Sequence, residues 1–157
     1  MPELERLTAE HADPLLAFER DNRAWFAASV PDRGDDYFAT FADRHAALLA
    51  EQATGRCHFH VLVDQGEVLG RFNLVDVADG EAELGYRVAQ RAAGRGVATD
   101  GVRRVAALAR QAYGLCRLTA VAGAAACAVA TRRRLSRPPS APVRPSAPRR
   151  RTPSCGT

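Results

Sequence analysis

The sequence contains no lysine, and none of its acidic residues lies beyond position 100. All 22 basic residues are arginines. Residues 1–100 hold 18 acids and 10 arginines, a net charge of −8, whereas residues 101–157 hold 12 arginines and no acid, a net charge of +12. Together they give the formal net charge of +4. The basic character therefore belongs to the C-terminal third, and it does not mark the whole surface as one that binds nucleic acid.

Long apolar runs are also lacking. No stretch approaches the roughly 18 apolar residues of a membrane span. The N-terminus carries acids early and lacks the apolar core of a secretory signal. We therefore expect a cytoplasmic protein that does not contact a membrane.

Paired cysteines are a third absence. The four cysteines lie far apart, and none forms a C-x-x-C pair. In a cytosolic chain such thiols stay reduced, so neither a disulfide framework nor a cysteine metal site is expected. His58 and His60 alternate onto one face of a predicted strand, but no neighbouring cysteine or carboxylate completes a metal site. The sequence therefore predicts no metal.

The 157 residues are about the length of one domain. Apolar periodicity predicts the element order β-α-α-β-β-β-α-β, a mixed α/β fold. The first strand is predicted over residues 4–9. Two amphipathic helices follow over residues 15–28 and 37–54, and Asp13 and Pro14 are predicted as the N-cap and first-turn proline of the first.

Three strands joined by two tight turns come next. They are predicted over residues 57–64, 68–78 and 82–90, with glycine-containing turns between them. A helix over residues 97–114 and a strand over residues 115–123 complete the pattern. Because a strand, a helix and a further strand follow in order, the last two strands should be parallel with a right-handed crossover.

The loop "QRAAGRGVAT", residues 90–99, joins the third strand of this meander to the last helix. Glycines let the backbone approach an anion closely, and the first turn of a helix leaves its N–H groups unpaired. The loop therefore suits a phosphate, although a simple turn that tolerates glycine would look the same. The missing Gly-Lys-Ser/Thr ending argues against a Walker loop, and Thr99 in place of a third glycine argues against a dinucleotide fingerprint.

Residues 91–96, "RAAGRG", match the R/Q-x-x-G-x-G/A acetyl-coenzyme A motif of the GNAT N-acetyltransferases. The run over residues 70–118 resembles the branch of that family that acetylates the N-termini of ribosomal proteins. The resemblance covers residues 3–123, and the predicted element order is the GNAT order. It implies a transferase that moves an acetyl group from acetyl-coenzyme A to a primary amine, either a protein N-terminus or a small molecule.

The resemblance also implies where the cofactor lies. The strand before the motif would contact the pantetheine arm, with the Val88 N–H bonded to the thioester carbonyl. The loop amides would hold the pyrophosphate. The implied cofactor-binding residues are Tyr86, Arg87, Val88, Arg91, Gly94, Arg95, Gly96, Val97, Ala98 and Thr99.

Acetyl transfer to an amine requires a group that accepts a proton from that amine. Glu83 is the first candidate for this base and Glu81 the second, since both alternate away from the apolar face that holds Leu84. A solvated strand carboxylate is the alternative for each. Asn73 is predicted to orient the incoming amine, with a surface amide as its alternative.

The resemblance ends after residue 123. The family continues with an asparagine-led helix and two more strands, whereas Ala126 or Cys127 stands about where the asparagine would be. Residues 124–157 are rich in alanine and then in arginine, proline and serine, a composition that predicts disorder. The same composition suggests a GC-rich coding sequence read in a shifted frame, a hypothesis that translation of the other frames tests. If it holds, the last helix and two strands are lacking and activity is impaired.

An alternative function uses this tail. Eight arginines among residues 132–157 could bind a nucleic acid or an acidic partner. The tail has no aromatic residue on which bases could stack, so we do not expect nucleic acid to be the main partner. The sequence does not indicate an oligomeric state.

Overall fold

The fold is known from a computed structural model that describes residues 1–120. The strands are β1 (Glu3–Arg6), β2 (His58–Asp64), β3 (Glu67–Ala78), β4 (Glu81–Val88) and β5 (Arg117–Ala120). The helices are α1 (Ala12–Asp21), α2 (Arg23–Ala27), α3 (Asp35–Ala39), α4 (Phe41–Ala53) and α5 (Val97–Ala112). Short 3-10 turns lie at Ala9–His11 and Gln90–Ala92.

The five strands form one sheet in the order β1-β2-β3-β4-β5. Neighbouring strands from β1 to β4 are antiparallel, whereas β4 and β5 are parallel. The predicted mixed α/β fold and the parallel last pair are therefore confirmed. The meander has the predicted tight turns, because Gln65–Gly66 and Asp79–Gly80 all have positive φ, as two-residue hairpin turns of type I′ require.

One face of the sheet packs on α5. Its core consists of side chains that are at most 5% exposed, namely Leu62, Phe72, Leu74, Ala82, Leu84, Val105, Ala109 and Leu115. Helix and sheet approach closely at Gly101, where an added Cβ would lie 2.1 Å from the Phe72 ring. Only glycine allows α5 to pack at this distance.

The other face packs on α1 to α4. Apolar residues such as Leu15, Phe18 and Phe59 fill its core. Polar groups also tie this face together: the Gln52 side chain donates to the Leu7 carbonyl at 3.0 Å and accepts from the Phe59 N–H at 2.9 Å. These two bonds fasten α4 to β2 and to the end of β1.

The first two predicted helices are each divided in two, whereas the third is continuous as α5. The first breaks at Asn22, whose side chain donates to the Phe18 carbonyl at 2.9 Å and accepts from the Gln90 N–H at 2.8 Å. The second breaks at Thr40, where φ is −107°. These contacts outweigh the helical periodicity that predicted continuous helices.

The predicted start of the first helix is only partly correct. Helix α1 begins at Ala12, so Asp13 lies inside its first turn and is not its N-cap. Thr8 and His11 instead form a reciprocal cap at the preceding 3-10 turn. Pro14 lies in the first turn of α1, as predicted, because proline fits where N–H groups have no helical partner.

Several expectations fall outside residues 1–120. They are the last three residues of the predicted final strand, the arginine-rich tail over residues 124–157, and the missing helix and strands beyond residue 123. Among the residues that the structure describes, no helix is both long and apolar enough to cross a membrane.

Candidate active site

Strand β4 has two different halves. Residues 81–84 pair with β3 on one side and with β5 on the other. Residues 85–88 pair with β3 only, within the part of the chain described. Among residues 1–120, no strand pairs with the other side of this second half, and we call this side of residues 85–88 the open edge.

The direction of the backbone groups along this edge follows from one hydrogen bond. The Ala89 N–H donates to the Leu69 carbonyl at 2.8 Å, on the β3 side. Successive residues of a strand turn their N–H and C=O groups to opposite edges. Val88 and Tyr86 therefore direct theirs away from β3, toward the open edge.

Helix α2 borders the same edge. The indole Nε1–H of Trp25 donates to the Val88 carbonyl at 3.3 Å. Tyr86 is half-buried on the α5 face and stacks on Phe72, with ring centroids 5.8 Å apart. Burial raises the pKa of the Tyr86 hydroxyl, so this side chain stays protonated at neutral pH.

The loop after β4 combines two left-handed glycines with a helix start. Gly94 has φ 73° and Gly96 has φ 76°. No other atom lies within 4 Å of a Cβ added at either position, so the backbone conformation and not packing requires glycine there. The space beside both glycines is open to a ligand.

Helix α5 begins at Val97 directly after this loop. Gly96 is its N-cap and provides no side-chain hydrogen bond to the first turn. The N–H groups of the first turn have no helical partner, and the helix dipole adds positive potential at this end. The residues predicted to hold a pyrophosphate, Arg95 to Thr99, therefore surround an uncapped helix N-terminus.

The two basic side chains of the loop, Arg91 and Arg95, differ in whether they are paired with a carboxylate. Arg91 forms an ion pair with Glu67, and both side chains are more than half exposed. Arg95 is exposed and forms no ion pair with residues 1–120. Arg95 is consequently the more available of the two for a bound phosphate.

The two candidate bases also differ. The Glu81 carboxylate is exposed and accepts from Arg117 at 3.0 Å. Glu83 is half-buried and has no ion pair within the described residues. The geometry therefore favours Glu83 over Glu81 as a proton acceptor.

Distance along β4 limits what Glu83 can reach. At the rise of an extended strand, Glu83 lies about 16 Å from Val88 but only about 10 Å from Tyr86, measured between Cα atoms. A water can bridge Glu83 to an amine near Tyr86, but not to one near Val88. A base at Glu83 thus requires the reaction to occur toward the Tyr86 end of the open edge.

A polar row lies beside this edge on the α1 face of the sheet. Glu83, Gly85 and Arg87 alternate along β4, while Asn73 is opposite Gly85 and Arg71 is opposite Arg87. Nothing lies within 4 Å of a Cβ added at Gly85, so there is space between the two charged residues. The Asn73 Oδ1 accepts from Arg71 Nε at 3.1 Å, and this bond fixes the amide beside that space.

Sequence reasoning assigned Arg87 to the cofactor and missed the charged residues around it at the end of this row. Glu19 of α1 is 2% exposed and lies 3.4 Å from Arg71, 3.3 Å from Arg87 and 3.8 Å from Arg33. We call Arg33, Arg71 and Arg87 the arginine cluster. Burial and the positive charge of Arg33 lower the pKa of Arg87. One signal was available, because Glu19 follows Leu15 by four residues and so belongs to the buried side of α1.

The two histidines of β2 lie on the α5 face of the sheet, opposite the polar row. The His58 ring stacks on Tyr113 with centroids 3.6 Å apart, and the His60 Nε2 lies 2.9 Å from the Tyr113 hydroxyl. Burial and the nearby Arg6 lower the pKa of His60 to about 4. Within residues 1–120, no three histidine, cysteine or acidic side chains group as metal ligands would.

Comparison with protein families gives one match. Residues 3–126 match the acetyltransferase (GNAT) domain family. No curated protein matches the chain.

Several solved structures share the fold. Ribosomal-protein-S5-alanine acetyltransferase from Vibrio fischeri is 17% identical with a TM-score of 0.71, over 76% of this chain and 69% of that protein. RimJ from Mycobacterium smegmatis, solved with a coenzyme A disulfide, is 23% identical with a TM-score of 0.66, over 74% and 60%. The ribosomal L7/L12 acetyltransferase RimL, solved with coenzyme A, is 14% identical with a TM-score of 0.66, over 76% and 69%. At these identities the likeness establishes the fold.

Proposed function

The chain belongs to the GNAT acetyltransferase family, and on that premise we propose that it transfers an acetyl group from acetyl-coenzyme A to the α-amino group of a peptide. The uncapped N-terminus of α5, directly after the left-handed Gly94 and Gly96, is the observation that carries this proposal, and the β4 edge left unpaired among residues 1–120 adds to it. Two of the similar structures contain coenzyme A species. The descriptions of four of them name a ribosomal protein as the acetylated protein. These likenesses support the cofactor and the peptide class of acceptor.

The residues fit the cofactor as follows. The backbone amides from Arg95 to Thr99 bind the pyrophosphate at the start of α5, where the helix dipole favours an anion. Gly94 and Gly96 let the backbone approach it closely. The N–H groups of Tyr86 and Val88 bind the pantetheine arm, which adds to the sheet as a further strand would.

Acetyl-coenzyme A supplies a thioester carbonyl that a neutral amine attacks. Because a base at Glu83 reaches only the Tyr86 end of the open edge, the Tyr86 N–H stabilises the negative charge that develops on the carbonyl oxygen, in place of the Val88 N–H that the family resemblance implies. Glu83 accepts the proton of the attacking amine through a water, and Asn73 orients the amine. The C–N bond forms, the C–S bond breaks, and the proton ends on the departing thiol.

The domain proposed for this activity spans residues 1–123. Because the residues beyond it depart from the family pattern, we expect slower turnover than a chain that continues as the family does. Fusion of a family-type C-terminal segment after residue 123 should raise kcat, and an unchanged kcat would contradict this expectation.

The proposal is tested by release of free thiol from acetyl-coenzyme A in the presence of peptides with free N-termini. Glu83→Gln should lower kcat by about 100-fold or more, since a lost general base typically costs that much. Glu81→Gln is the matched control on the same strand face, and it should stay within about twofold. The peptide acceptor is ruled out if only other primary amines are acetylated, and acetyl transfer itself is ruled out if no amine is. The role of Glu83 fails if both variants behave alike.

A further inference from the structure

The arginine cluster carries more positive charge than its surroundings compensate. Glu19 is the only carboxylate within 4 Å of any of the three guanidinium groups among residues 1–120. Three arginines and one glutamate leave a surplus of two positive charges. Arg23 lines the same cavity and binds Asp32 and Asp35 at 2.6 and 2.8 Å; this group carries a net charge of −1, so a surplus of one positive charge remains around the cavity.

The contacts to Glu19 are also loose. Charge-assisted bonds between guanidinium and carboxylate are commonly about 2.7–2.9 Å long. Those from Arg87 and Arg71 measure 3.3 and 3.4 Å, and the Arg33 contact at 3.8 Å is too long for a hydrogen bond. Each guanidinium offers five N–H donors, more than one carboxylate can satisfy for three arginines.

The surplus borders a small cavity of about 10 Å³, room for about one water molecule, so a carboxylate can bind only at its opening. The side chains of Arg33 and Arg87 are 32% and 23% exposed, so both reach the opening. Phe26 and Phe38 form part of its wall. A planar guanidinium against an apolar wall is a strong site for a carboxylate, because the pairing can be bidentate and partly shielded from water.

The position of the cluster connects it to the acceptor. Glu83 and Arg87 lie on the same face of β4, about 13 Å apart between Cα atoms, and Gly85 leaves space between them. An extended peptide whose amine lies near Glu83 would therefore reach Arg87, the cluster member on the same strand, within its first few residues.

We infer that the arginine cluster binds a carboxylate of the acceptor, so that the protein prefers peptides with Asp or Glu at one of the first positions after the N-terminus. This inference rests on the proposed function, since it names the acceptor that the transferase takes. The competing roles of the cluster are a purely structural one, in which it only holds Glu19, and contact with a phosphate of the cofactor.

The test is calorimetric titration of the full chain, saturated with coenzyme A, with two amidated tetrapeptides, Ser-Asp-Ala-Ala and Ser-Asn-Ala-Ala. They differ only at the second position, where one has a carboxylate and the other an amide of nearly the same shape. The wild type should bind the Asp peptide about tenfold more tightly or better, as expected for hydrogen bonds to a charged group. Arg33→Gln should reduce the ratio to about twofold or less, whereas Arg20→Gln, an exposed neighbour of Glu19 outside the cluster, should keep it.

Three results would overturn the inference. The first is that the wild type binds both peptides equally or binds neither. The second is a preference for the Asp peptide that survives in Arg33→Gln, and the third is weaker acetyl-coenzyme A binding in that variant. The first two assign the cluster a structural role and the third assigns it to the cofactor. Because binding is measured without turnover, an inactive chain still gives an answer. Failure of the proposed function would appear separately, as no acetylation of either peptide.

Discussion

The two faces of the sheet are built from the same strands but from different chemistry. On the α5 face, Phe72, Leu74 and Leu84 pack against a helix that approaches closely at Gly101. On the α1 face, the neighbouring residues of the same strands are Arg71, Asn73 and Glu83. The α5 face is therefore stabilised by apolar burial. The α1 face is stabilised less, because it places charged and polar groups beside the open edge of β4.

The α5 face therefore holds the fold together, whereas the α1 face carries most of the candidate site. The close packing of α5 fixes where its N-terminus lies, next to the open edge. The polar face then surrounds that edge with a carboxylate, an amide and the arginine cluster. A substitution on the α5 face should lower stability first, whereas one on the α1 face should change binding or turnover unless it removes the buried counter-charge.

Glu19→Ala should have the largest effect on stability. It leaves Arg71, whose side chain is 6% exposed, without its counter-charge. Removal of one partner of a buried ion pair costs about 3–5 kcal/mol. Urea denaturation should show this loss, and a loss below about 1 kcal/mol would mean that water already screens the cluster.

Acid should weaken the α5 face through His60. Its folded pKa of about 4 lies below the unfolded value, so the unfolded chain binds more protons. The contribution of His60 to stability is complete above about pH 6.5 and falls as the pH decreases toward 4, by about 3 kcal/mol in total. Denaturation of wild type and His60→Gln across this range should converge in acid, and parallel curves would contradict the buried neutral state of His60.

Two glycine substitutions compare the faces directly. Gly101→Ala places a methyl group 2.1 Å from the Phe72 ring and should cost about 1–3 kcal/mol by overpacking. Gly85→Ala meets no atom within 4 Å and should change stability by no more than about 0.5 kcal/mol. Equal losses in thermal unfolding would show that the two faces are packed alike.

Local patterns predicted the sheet and the loop well. The turns at Gly66 and Gly80, the start of α5 at Val97 and the parallel last pair all follow from glycine positions and apolar alternation. The break at Asn22 did not, because it depends on a bond to Gln90 that lies 68 residues away. Glu19 was missed for the same reason, since a buried carboxylate is explained only by partners that the fold brings to it, 52 and 68 residues away.

The parts of the candidate site that come from one continuous segment could therefore be predicted from the sequence. The loop over residues 90–99 and the candidate base Glu83 lie on consecutive elements, and their chemistry can be read from spacing. The roles given to these residues stay predictions. The acceptor side combines α1, β3 and β4, so its charge balance became visible only in three dimensions.

Calorimetric titration with acetyl-coenzyme A tests the central claim, that the loop before α5 holds the cofactor, most directly. The wild type should bind one equivalent. Gly96→Ala forces a left-handed conformation on alanine beside the cofactor and should weaken binding about tenfold or more, whereas Gly55→Ala, at a similar φ of 78° in a distant turn, should not. Absence of binding to the folded wild type, or equal effects of the two variants, would contradict the account.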